Sequence, residues 1–173
     1  INNNSNVKLN LSGDLSERIL NLNISGDIID LSANKVETKK KERVYYLKRE
    51  NYSINTDEVI FAGAVRVNDF KAGIEKQGSV LSVNSRASFM GHDLNYSREK
   101  KDNIDLNIIN SSDITYFVNN NHPAKKLLSD GEFKMTSIRD LNTQVADVKI
   151  NLNDFVLINT PASLKLLSLP SIS

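Results

Sequence analysis

The stretch VKINLNDFVLINTPASLKLLSLPS, residues 148–171, decides how the rest of the chain is read. Its first half alternates Val148, Ile150 and Leu152 with Lys149, Asn151 and Asn153, the period of a half-buried β-strand. Its second half, NTPASLKLLSL, changes to helical spacing with Pro161 near the first turn, where a missing N–H costs little. Ala162, Leu166 and Leu169, or Leu164 and Leu167, are then available to pack. A strand that runs straight into a short apolar helix reads as a repeat boundary. Residues 1–173 are therefore expected to be a single fragment of a longer repetitive β protein.

Working back toward Ile1, period-two patterning dominates. NVKLNLSGDL places Val7, Leu9 and Leu11 on one side, and ILNLNISGDIIDLSA does the same with Leu20, Leu22 and Ile24. Both carry SGD, at 12–14 and 25–27, read as a turn or bulge signal. EVIFAGAVRVNDFKAGIEKQG has apolar residues on both sides and is expected to be buried on both. SVLSVNSRASFMG sets Leu81, Val83, Ala87 and Phe89 against Ser82, Asn84, Arg86 and Ser88, and NIDLNIINSS sets Ile104, Leu106 and Ile108 against Asp105 and Asn107. These alternations predict half-buried antiparallel strands. A helix is predicted in SSDITYFVNNNHPAKKLL, capped by Ser112 or Asp113, with a stripe of Ile114, Phe117 and Val118, and ending before Pro123. Two more strands flank a turn at Asp140–Thr143. The fold class is mainly β: long antiparallel strands in a curved sheet or open groove, with two short helices. Strands of about ten residues at about 3.3 Å each make a sheet roughly 30 Å across.

Bulk composition narrows the function. With 22 basic and 21 acidic residues the net charge is +1, so no field recruits nucleic acid. The one charge cluster, Lys39, Lys40, Lys41, Glu42 and Arg43, reads as a solvated loop. There is no cysteine, which removes disulfides and thiol chemistry. His92 and His122 are the only imidazoles and neither has a partner at metal-ligand spacing, so neither a metal nor a cofactor is expected. No apolar run approaches the roughly 18 residues of a membrane span. The N-x-S/T matches at Asn10, Asn23 and Asn51 follow from an Asn- and Ser-rich composition. No G-x-S-x-G, P-loop, G-x-G-x-x-G or H-E-x-x-H occurs, and adjacent His92 and Asp93 point to opposite sides of a strand. The chain is expected not to be an enzyme, with no catalytic residue.

The last third resembles the AsmA-like family of Gram-negative envelope proteins, especially the C-terminal region of its large YhdP-type branch. The resemblance rests on DLNIINSSDITYFV, LLSDGEFKMTSI and VADVKINLNDFVLINTPASLKLLSLPSIS, with LNISGDIIDLSA earlier. It covers residues 20–173 and is clearest over 104–173. It departs in its Asn- and Lys-rich strands and in the placement of Gly131. The resemblance implies the periplasmic part of an inner-membrane-anchored protein, whose long strands curl into an apolar, β-taco-like groove that conducts phospholipid to the outer membrane. Its implied partners are phospholipid acyl chains, adjacent β repeats of the same parent chain and another envelope protein. Groove-lining candidates are Leu81, Val83, Phe89, Ile104, Leu106, Ile108, Val148, Ile150 and Leu152. For each, ordinary core packing is the competing reading. The alternative for the whole chain is a β-sandwich scaffold or assembly factor for outer-membrane biogenesis; a surface adhesin would require more regular strand repeats.

Overall fold

A computed structural model describes residues 6–14, 16–32, 47–113 and 128–157. They form β1 (Lys8–Asp14), β2 (Ile19–Asp30), β3 (Arg49–Ile60), β4 (Arg66–Gln77), β5 (Val80–Phe89), β6 (His92–Lys101), β7 (Ile104–Ser111), β8 (Leu128–Ser129), β9 (Glu132–Asp140), β10 (Ala146–Asn153) and β11 (Val156–Leu157). Nine of these make one open sheet in the order β1-β2-β3-β4-β5-β6-β7-β9-β10, while β8 and β11 make a separate two-residue ladder. Five strands have ten or twelve residues, well beyond the usual five or six.

The sheet is a single layer. Among the described residues the one other ladder is the two-residue β8–β11 pair, so no second sheet of comparable size is present to lie over the first. Burial agrees: Val59, Ile60, Val67, Ala72 and Phe133 are the only buried apolar side chains among them. Val59 and Ile60 are consecutive and both buried, so this part of the sheet is covered on its two sides, as its apolar composition predicts. The Phe61 and Phe70 rings meet edge to face there, with centroids 6.1 Å apart.

Three sequence expectations need correction. The sheet is mixed, because β2 and β3 run parallel, Ile24 opposite Ile54. A parallel pair needs a crossover of a dozen or more residues, which the connection over residues 31–48 supplies; its Lys39–Arg43 cluster lies outside the described residues. The SGD at 25–27 does not interrupt β2, which stays in register with β3 on either side of it. As for the two short helices, residues 114–118 and 161–169 lie outside the described residues, and the one helical turn described is the 3₁₀ turn Ala62–Ala64. No described helix is long and apolar enough to cross a membrane.

Strands end by a shared local device. Asp14 accepts the N–H groups of Ser16 and Glu17 at 2.8 and 3.0 Å. Asp30 accepts Ser32 N–H at 2.9 Å, and Asp140 accepts those of Asn142 and Thr143 at 2.7 and 3.2 Å. Each is a D-L-S or D-L-N string whose carboxylate offers the backbone an alternative to the ladder. The third is the turn expected at Asp140–Thr143. The hydroxyl of Ser16 donates to Asp14 as well, and these bonds to the charged form hold the Asp14 carboxyl below its usual range.

Two-residue hairpins join β4 to β5, β5 to β6 and β6 to β7, since Gln77 pairs with Val80, Phe89 with His92 and Lys101 with Ile104. At the second, Met90 and Gly91 both have positive φ, 51° and 85°, as a type I′ turn requires. Methionine is poorly suited to that conformation, and its side chain is 73% exposed, so little contact offsets the strain. Met90→Asn should raise stability by about 1 kcal/mol, read as a higher thermal midpoint; an unchanged or lower midpoint would mean the turn is not strained.

Candidate functional site

Directly paired residues in a sheet share a face, so the register sorts every side chain. One row runs Leu9, Ile24, Ile54, Ala72, Ser85, Tyr96, Ile109, Met135, Ile150 from β1 to β10. The row two residues along carries Leu11, Leu22, Tyr52, Ile74 and Val83 on the first five strands. On the other flank, Ala87, Leu94, Ser111, Phe133 and Leu152 continue the same face across β5 to β10. Nine strands about 4.8 Å apart make this apolar face about 38 Å wide. At the two edge strands it is open to solvent, with Leu9 65%, Leu11 69%, Val148 57% and Ile150 55% exposed.

Six of the nine groove candidates lie on this face: Leu81, Val83 and Phe89 on β5, and Val148, Ile150 and Leu152 on β10. Ile104, Leu106 and Ile108 do not. They pair with Lys101, Glu99 and Ser97, whose side chains project to the opposite face. Strand β7 instead turns Asp105, Asn107 and Ile109 toward the apolar side. Alternation within a strand shows which residues travel together. The hairpin turn decides which set faces the neighbours' apolar residues.

What holds β7 that way is a polar notch in the apolar face. Arg98 on β6 donates Nε and one terminal nitrogen to the two carboxylate oxygens of Asp105, at 2.8 and 2.7 Å. Asn107 donates to the same carboxylate at 3.4 Å and accepts the Tyr96 hydroxyl at 2.9 Å. Asp105 is 9% exposed by side chain and Arg98 35%. The hydrogen bonds from Arg98 hold the Asp105 carboxyl below the usual carboxylate range, and the same bonds raise the Arg98 guanidinium. Burial raises the Tyr96 phenol. Near the same end of the face, Lys76 reaches Glu50 at 2.9 Å. An apolar floor with a charged margin results.

Sequence reading missed this notch because Asp105 and Asn107 look like the solvent side of an alternating strand. The signal was nonetheless present: taking Asp102–Asn103 as the turn puts Arg98 directly opposite Asn107 and diagonal to Asp105, within guanidinium reach. His92 pairs with Asp113 rather than with its neighbour Asp93, Nε2 to Oδ2 at 3.3 Å.

The opposite face is polar. Its central rows include Lys8, Ser25, Asn55, Lys71, Arg86, Asn95, Asn110, Lys134 and Asn151, and the N-x-S/T asparagines Asn10, Asn23 and Asn51 all fall on it. Three depressions formed by described residues are lined chiefly by this face, the largest about 700 Å³. No protein-family model, curated protein or solved structure matches the chain.

Removing one member of a well-shielded ion pair strands the other charge. Arg98→Leu alone should destabilise the chain by about 2 kcal/mol, low for such a pair because Arg98 is part exposed, and Arg98→Leu with Asp105→Leu should recover most of the loss. Asp105 has a depressed folded value, so its contribution is complete above the unfolded value near about 4 and is lost as pH falls through the lower folded value. The stability gap between the native chain and Asp105→Asn should therefore be constant near neutrality and close in acid. Denaturant unfolding across that range checks both; a pH-independent gap would contradict the assignment.

Proposed function

We propose that this chain is a non-enzymatic, lipid-binding segment of a β-groove of the AsmA-like kind. In this reading it is the periplasmic portion of an inner-membrane-anchored protein that carries phospholipid toward the outer membrane and so supports envelope integrity. The supporting observation is the single large sheet with one mainly apolar face and no second sheet of comparable size among the described residues. Exposing an acyl chain of roughly fifteen methylenes to water costs on the order of 12 kcal/mol, at about 0.8 per methylene. An apolar strip offsets that cost without specific contacts, which fits a chain with no catalytic motif. The charged margin formed by Glu50–Lys76 and Arg98–Asp105 suits an amphiphile, whose polar end needs such groups beside the floor.

Leu81, Val83, Phe89, Val148, Ile150 and Leu152 are the residues of the original set that serve this reading, joined by Ile24, Ile54, Ile109 and Met135. The scaffold alternative needs two large sheets packed face to face, and the described residues supply one large sheet and a two-residue ladder.

The test compares the two faces of one strand. Ile150 and Lys149 are consecutive, exposed and on opposite sides of β10. Delipidated protein should take up a fluorescent fatty acid. Ile150→Asp should abolish that uptake, while Lys149→Asp should leave it intact and both should keep β-type circular dichroism. Equal uptake by the two variants, or none by the native chain, would sink the groove.

A further inference from the structure

Four ion pairs set a cation of one strand against a carboxylate of its neighbour, and one site sets two cations together. Arg49 pairs with Glu75 on the polar face, and Arg66 with Glu58 at 2.6 Å, Lys76 with Glu50 and Arg98 with Asp105 on the other. Lys71 on β4 and Arg86 on β5 are instead directly opposite each other. Like charges so placed, with Cβ atoms about 5 Å apart, destabilise a sheet. Among the described residues neither makes an ion pair or a side-chain hydrogen bond, although Asp57, Asp69 and Asp93 lie a short way along the strands.

The surroundings are those of a ligand site. Lys71 and Arg86 are the only charged residues lining the 700 Å³ depression, and no carboxylate lines it. Asn55 flanks Lys71 in the same row, Asn95 flanks Arg86, and Asn84 and Gly73 form the next row. A side chain at Gly73 would meet nothing within 4 Å, so its absence leaves the floor open. The β4 strand bulges between Asn68 and Lys71, with Asp69 at φ 52°, which re-aims Lys71 relative to β5.

We propose that this basin binds a phosphate-class oxyanion borne by a hydroxyl-bearing molecule. The guanidinium fork of Arg86 and the ammonium of Lys71 would share the anion, and the ring of amides would meet the hydroxyls. Such a ligand neutralises the repulsion between the two facing cations. Nucleic acid fits less well, because the one aromatic residue lining the basin, Tyr96, turns its ring to the opposite face, where its hydroxyl donates to Asn107. The site is on the face away from the apolar strip and stands whether or not that strip carries lipid.

The full chain is titrated with inorganic phosphate, with glycerol 3-phosphate and, separately, with vesicles of phosphatidylcholine containing phosphatidylglycerol, against sodium chloride at matched ionic strength. A stabilisation by glycerol 3-phosphate, with shifts of the Asn55, Asn84 and Asn95 side-chain amide resonances, supports a soluble phosphate ester. Binding confined to the anionic vesicles supports a headgroup. In either case Lys71→Gln and Arg86→Gln should each weaken binding about tenfold or more, Lys149→Gln should not, and the two basin variants should be no less stable than the native chain without ligand. Responses equal to those in sodium chloride, or equal in all three variants, overturn the proposal.

Discussion

The constraint on which the rest depends is register. With side chains alternating at a period of two, a slip of one residue in any strand would exchange its whole apolar set for its polar set. In a two-layered protein the core would punish such a slip heavily. Here only five apolar side chains are buried among the described residues, so hydrophobic burial alone discriminates weakly. Local devices do the remaining work: D-L-S and D-L-N turns at strand ends, two-residue hairpins between strands, and the Arg98–Asp105 pair, which a slip of β7 against β6 would break by turning Asp105 to the face away from Arg98. A buried ion pair is a poor source of net stability but a good way of penalising the wrong arrangement.

Much of this was legible in the amino-acid sequence, and its gaps have a common cause. Period two gave mainly β structure, long strands, the doubly covered stretch around Val59 and the turn at Asp140. It could not give the relative facing of two strands, which is a property of the pair. Ile104, Leu106 and Ile108 alternate as cleanly as Leu81 and Val83, yet they project to the other side because Lys101 pairs with Ile104 across the hairpin. The Ile108–Ile109 doublet hides that difference, since either residue satisfies an apolar reading. The parallel β2–β3 pair was hidden for a related reason: each strand's own pattern is the same whichever way its neighbour runs.

The two faces divide the chemistry. One is a strip of aliphatic and aromatic side chains interrupted by serines and by the partnered cluster of Tyr96, Arg98, Asp105 and Asn107. The other is rich in asparagine and serine, poor in apolar residues except around β7, and contains the one place where two cations confront each other. Asparagine and serine are costly choices for strands on propensity alone. Their concentration on one face, with apolar residues kept to the other, is what makes a single-layered sheet both soluble on one side and greasy on the other.

The seam between β2 and β3 has a further consequence for how the molecule is put together. From β3 to β7 every connection is a tight one, whereas β2 reaches β3 through residues 31–48. Closing a loop of that length rather than one of two residues costs about 2 kcal/mol more in chain entropy. The β1–β2 hairpin thus joins at an entropic expense that the β9–β10 pair, reached from β7 through residues 112–131, shares, and Leu22 opposite Tyr52 and Ile24 opposite Ile54 line its seam. The breadth of the apolar strip is for that reason a conditional quantity: the five strands β3 to β7 come almost automatically with local folding, and the pair on either side is retained only as long as its seam stays zipped.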